Sequence, residues 1–137
     1  MESFISVWTI VVSMVVSVVL GFFWYGPLFG KAWMKLSGIQ MPEKKPSASV
    51  MVKPIILSLI GSFFMTYVLS FSIAFHNAYY HTSGSGAAVA IGFLLWLGFI
   101  VPTHFNFTGW EGKPWKLFFI HTGYWLVFIV IVSNLIA

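Results

Sequence analysis

The sequence predicts an all-α protein, a four-helix transmembrane bundle built from two hairpins, and three observations carry that prediction. Four apolar runs, Phe4–Tyr25, Pro54–Phe75, Ala87–Phe107 and Trp115–Ile136, are each 21 or 22 residues long. At about 1.5 Å rise per residue, each spans roughly the 30 Å of a bilayer's hydrocarbon core. Charge is confined to the gaps: beyond their first turns, none of the runs holds an Asp, Glu, Lys or Arg. Composition agrees, at 59% hydrophobic and 7% charged, where a soluble domain carries about 25% charged residues. Residues 1–137 read as a single membrane domain with no second unit.

The lysines set the expected orientation. Lys31, Lys35, Lys44, Lys45 and Lys53 fall between the first two runs, and Lys113 and Lys116 lie at the gap between the last two. The middle gap and both tails hold none. The positive-inside rule puts the lysine-bearing gaps in the cytoplasm and both termini outside, in a cell membrane. The first run has no basic residues before it and no small-residue cleavage pattern after it, so it reads as a retained anchor. The net charge of +4 sits beside membrane helices, which suits anionic headgroups and argues against nucleic acid. With no cysteine, thiol chemistry and cysteine metal sites are excluded.

Within the first run Thr9, Ser13, Ser17 and Gly21 recur every fourth residue, as do Ser58, Ser62, Thr66, Ser70 and Ala74 in the second. Lipid gives helices no hydrophobic reason to associate, so close approach at small residues has to supply the packing. These stripes predict tight packing of the first two helices, with a polar path lined by the hydroxyls as the alternative. Between those helices, residues 28–39 put Phe29, Ala32, Trp33 and Leu36 on one helical face with Lys31 and Lys35 off it, and Gly38 as a stop. This is the pattern of a short amphipathic helix in the membrane interface, its lysines reaching lipid phosphates, or of a docking face for a soluble partner. Residues 40–49 are rich in Pro, Lys and Ser, and Pro54 suits the first turn of the second helix.

Few polar groups remain at membrane depth. The absence of an embedded carboxylate argues against proton-coupled export and hard-metal transport. His104 lies about a turn above the end of the third run and His121 about a turn into the fourth, so a hairpin brings both to similar depth, with Asn106, Tyr124 and Tyr25 nearby. Pro102 cannot donate to the Gly98 carbonyl, which predicts a kink just above this layer. These five residues form either a polar ligand pocket or a hydrogen-bonded staple of the hairpin. Two histidines fall short of the three protein ligands zinc wants, so no metal and no cofactor is expected. His76 and His81 read as interfacial loop residues. Trp8, Trp24, Tyr25, Trp33, Trp110, Trp115, Tyr79 and Tyr80 fall near run ends as interface belts do; Trp96 and Trp125 lie deeper. Trp24-Tyr-Gly-Pro27 echoes Trp110-Glu-Gly-Lys-Pro114 and hints at a duplicated two-helix unit.

The stretch Gly21-Phe-Phe-Trp24-Tyr25-Gly-Pro27-Leu-Phe29-Gly30-Lys31-Ala-Trp33 resembles the opening signature of the bacterial membrane family catalogued as domain of unknown function 1761. Trp110-Glu-Gly112-Lys113 through Lys116-Leu117 to Gly123-Tyr124 is similar to that family's last hairpin. The family often has a serine between the Tyr and Pro, where this chain has Gly26. The resemblance implies a four-helix bacterial inner-membrane protein and supplies no catalytic residues. It directs attention to the corner formed by Trp24, Pro27, Phe29, Gly30 and Trp33. The functional expectation is a non-enzymatic binding or structural membrane protein with a small polar pocket near the cytoplasmic face. An oligomeric small-molecule or ion transporter is the alternative, and an enzyme using the two histidines is a third reading. Membrane lipids are the expected partners, with a small-molecule ligand or a second copy of the chain as further options.

Overall fold

The computed structural model describes residues 6–38 and 48–137. All regular structure among the described residues is helical. Five helices follow in order: α1 (Val7–Leu28), α2 (Gly30–Ser37), α3 (Ala48–Tyr80), α4 (Ser85–Gly109) and α5 (Trp115–Ile136). Four of them are long and apolar enough to cross a membrane: α1, α3 from Val52 to Tyr80, α4 and α5. The expected stretch over 40–49 falls, up to residue 47, outside the described residues, as do Lys44 and Lys45.

The long helices alternate in direction. α1 packs on α3 and α5, and α4 packs on α3 and α5. The small-residue stripes lie in the α1–α3 contact: Ser13, Ser17, Ser62, Thr66 and Ser70 are buried. Ser62 donates its hydroxyl to the Leu59 carbonyl and accepts at 3.1 Å from Ser17, whose single proton is shared with the Met14 carbonyl of its own helix. The α4–α5 contact is equally close at one point, since a Cβ on Gly92 would lie 2.5 Å from Ser133 Oγ. Leu69, Ile73, Ala88, Phe128, Ile129 and Val132 form the apolar core, in the half of the bundle remote from the lysines. The outward faces are rich in large apolar side chains, among them Val15, Phe64, Leu94 and Phe119, as a bundle with lipid for solvent requires.

Two long helices contain a widened turn, and each is associated with a proline. In α1 the π-turn Trp24–Leu28 includes Pro27, and Phe29 N–H donates to the Trp24 carbonyl at 2.9 Å. In α4 the π-turn Trp96–Ile100 ends just before Val101-Pro102, and Val101 N–H donates to the Trp96 carbonyl. The distortion expected from Pro102 thus takes the form of one extra residue in the preceding turn.

Several expected boundaries shift: α1 runs on past Tyr25 to Leu28, and α4 covers Ser85–Gly109, beyond the expected 87–107 at both ends. α3 starts at Ala48, so Pro54 lies inside it and not in its first turn; residues 48–53 hold no Gly or Pro to delay the start. α3 also continues past Phe75 to Tyr80, which makes His76 helical. Hydropathy falls there while helix-compatible residues continue. The stop is a Schellman turn, with His81 left-handed at φ 54 and Thr82 N–H on the Asn77 carbonyl. Within the segment expected over 28–39, a helix spans Gly30–Ser37, with Gly38 at φ 72 as its C-cap.

Candidate functional site

The site is built where the end of α1 meets the start of α5. Widening the last turn of α1 turns consecutive side chains inward: Trp24 donates its indole N–H to the Ile120 carbonyl at 2.8 Å, and Tyr25 Oη lies 2.6 Å from His121 Nδ1. Phe29 breaks the helix at φ −124 and ψ 7, and α2 then folds back over this corner. Gly30 permits that reversal, because a Cβ there would sit 2.7 Å from the Tyr25 carbonyl oxygen. The return packs Phe29 on Trp24 and Trp33 edge-on to Tyr25, with ring centroids 4.7 and 5.1 Å apart. Lys31 and Lys35 stay exposed.

Behind Tyr25, Tyr124 is buried and donates its hydroxyl to the Ser17 carbonyl at 2.7 Å. The rings of Tyr25 and Tyr124 are 5.6 Å apart. Gly123 leaves space for Trp24, since a Cβ there would lie 3.2 Å from the indole ring, whereas a Cβ on Gly21 would make only ordinary contact with Tyr124 at 3.8 Å.

Tyr25, Tyr124 and His121 face a cavity of about 430 Å³ between α1, α3 and α5. Ser17, Ser58 and Trp33 also line it, and Phe22, Ile55 and Trp125 supply apolar wall. Among the described residues, no ionisable residue other than His121 and the two tyrosines lines it. Whichever partner holds the shared proton, the Tyr25–His121 pair retains free capacity at the imidazole Nε2 and on the phenol oxygen. Such a lining could pair with one polar group on a largely apolar molecule.

Of the five expected pocket residues, three meet at the cavity: Tyr25, His121 and Tyr124. His104 stands on the far side of His121, with ring centroids 6.1 Å apart. Its Nδ1 lies 2.8 Å from the Ile100 carbonyl, so that nitrogen carries the hydrogen. Asn106 is exposed and does not line the cavity. The tyrosine–histidine contact runs between helices and is not a staple between the two histidines. Among the described residues no three His, Asp or Glu side chains converge as a metal site would need.

The sequence matches the family model described as "Protein of unknown function (DUF1761)" over residues 8–137. The chain belongs to the DUF1761 family. No curated protein and no solved structure matches it. In this DUF1761 chain the resembling segments 21–33 and 110–124 contribute Trp24, Tyr25, Trp33, His121 and Tyr124 to one corner.

The cavity also involves residues that sequence reading missed. Ser17 and Ser58 belong to the small-residue stripes, yet both border the cavity. Trp96 donates to the Thr122 carbonyl at 2.8 Å and so contacts a neighbouring helix. The structural counterpart of Trp24 is therefore Trp96, which heads the other π-turn. It is not Trp110, which is 89% exposed.

Proposed function

We propose that this protein is a non-enzymatic membrane-embedded binding protein whose cavity at Tyr25–His121 holds an amphiphile with a neutral polar end, such as a hydroxyl or carbonyl group. In this reading the four long helices span a bacterial inner membrane, with both termini outside. The lysine-bearing end faces the cytoplasm. α2 lies in that interface, its half-buried Phe29 and Trp33 turned inward and Lys31 and Lys35 at the lipid phosphates.

One observation carries the proposal: a phenol–imidazole pair with spare hydrogen-bonding capacity borders a cavity whose remaining wall is mostly aromatic and aliphatic, with Ser17 and Ser58 as its small polar residues. Because no Lys, Arg, Asp or Glu among the described residues lines it, a charged group inside would lack a counter-ion there, which favours an uncharged polar end. A pathway reading needs the Ser/Thr stripes to face water. The burial of Ser13, Ser62, Thr66 and Ser70 between α1 and α3, with only Ser17 and Ser58 of the stripe hydroxyls at the cavity, supports binding instead.

The test is native mass spectrometry of the detergent-released protein with Tyr25→Phe and His121→Phe, and with His104→Phe as control. The reading expects a co-purifying lipid-like species that the first two variants lose and the third retains. If no bound species responds to Tyr25 or His121, the binding reading fails.

A further inference from the structure

We propose that the outward face of α3 around Tyr67 is a homodimer interface, with Tyr67 hydrogen-bonded to Tyr67 of the partner subunit across a two-fold axis normal to the membrane. The apolar span of α3 runs from Val52 to Tyr80, and Tyr67 lies next to its middle, about 20 Å of helix from either end. Tyr67 is 47% exposed, and its hydroxyl has no hydrogen-bond partner among the described residues. No rotamer carries that hydroxyl to a membrane surface.

Other hydroxyls in the spans, one half-buried and one exposed, solve the same problem locally. Ser72 donates to the Val68 carbonyl at 2.8 Å, and Thr103 to the Phe99 carbonyl at 2.9 Å. A tyrosine cannot, because its rigid ring holds the oxygen away from its own helix. Acyl chains offer no acceptor, so a lone copy leaves the group unsatisfied in hydrocarbon. A second copy supplies the remedy, since each phenol both donates and accepts.

The surrounding shape is self-complementary. Ile60, Phe63, Phe64 and Phe71 share the face at helical spacing and are all exposed. Phe63 bounds one flank, its ring stacked on Tyr67 with centroids 6.4 Å apart. The other flank falls into an apolar groove of about 360 Å³ between α3 and α4, lined by Val68, Leu95 and Phe99 among others. Copies inserted in the same sense are related by an axis normal to the membrane. That axis brings the Phe63 flank of one copy against the groove flank of the other.

The chain contains no cysteine, so single cysteines report on this face in vesicles of the full-length protein. Oxidation is expected to cross-link Ile60→Cys and Phe71→Cys, and to leave Val11→Cys on α1 and Phe119→Cys on α5 monomeric. By energy transfer between labelled copies, Tyr67→Phe is expected to weaken dimerisation about three- to thirtyfold, the range for one hydrogen bond in a membrane. This variant keeps the ring at an exposed position, and thermal unfolding checks that it stays folded. Absent cross-linking, equal cross-linking at all four positions, or an unchanged dimer affinity in Tyr67→Phe would each overturn the proposal.

Discussion

Trp24 and Trp96 make matching contacts: each heads a π-turn, and their indole N–H groups donate at 2.8 Å to carbonyls two residues apart on α5, those of Ile120 and Thr122. α5 is thereby fixed in register against α1 and α4, and His121 is held between the two contacts. Trp24→Phe and Trp96→Phe are each expected to lower stability by about 1 kcal/mol, as losing one interhelical hydrogen bond does in membranes. Thermal unfolding in detergent checks this, with exposed Trp110→Phe expected to be neutral.

Close approach of α4 and α5 depends on Gly92. A methyl there would lie 2.7 Å from Ile129 Cγ2 as well as against Ser133 Oγ. Gly92→Ala is expected to destabilise the bundle by about 1–3 kcal/mol through overpacking. Gly98→Ala, which meets nothing within 4 Å, serves as the tolerated comparison in the same unfolding assay.

At the α1–α3 contact, small size and hydrogen bonding separate experimentally. Ser62→Ala removes the bond to Ser17 but keeps the close approach, and is expected to lose about 0.6–2 kcal/mol. Ser62→Leu has no room at a fully buried position and is expected to cost more and to push the helices apart. If the two substitutions prove equally mild, the stripes are not what holds α1 on α3.

Gly30 governs how α2 folds over the site. In Gly30→Ala the new methyl meets the Tyr25 carbonyl, a backbone atom that cannot step aside without moving the corner. The expected result is a chain that still folds and inserts, but with Trp33 withdrawn from Tyr25 and less co-purifying ligand. Native mass spectrometry beside circular dichroism reads both halves.

The helices were legible because run length and charge exclusion are one-dimensional properties. The serine stripes were legible because a four-residue period survives folding. Tyr25, His121 and Tyr124 could be grouped from depth alone. Depth does not fix azimuth, which is why Asn106 points outward and His104 falls behind His121. The roles of Trp24 and Trp96 were hidden because an interfacial or deep tryptophan reads the same whether its indole meets lipid or a neighbouring carbonyl. The π-turns that aim both side chains add one residue at a place periodicity cannot mark. The extension of α3 to Tyr80 escaped because hydropathy signals where a membrane ends and not where a helix does.

In the proposed reading the cavity, lined by Tyr25, Trp33, Pro54 and Ser58, lies at the lysine-bearing end of a bundle that crosses the bilayer and opens to that side. Labelling single cysteines in oriented vesicles with a membrane-impermeant thiol reagent tests this directly. Ser58→Cys, beside the cavity, is predicted to react only from the lysine side, with labelling reduced when Trp33 is left in place relative to Trp33→Ala. Thr82→Cys, beyond the far end of α3, is predicted to react only from the opposite side. Reaction of both cysteines from one side, or a Ser58→Cys that never reacts in either background, would contradict it.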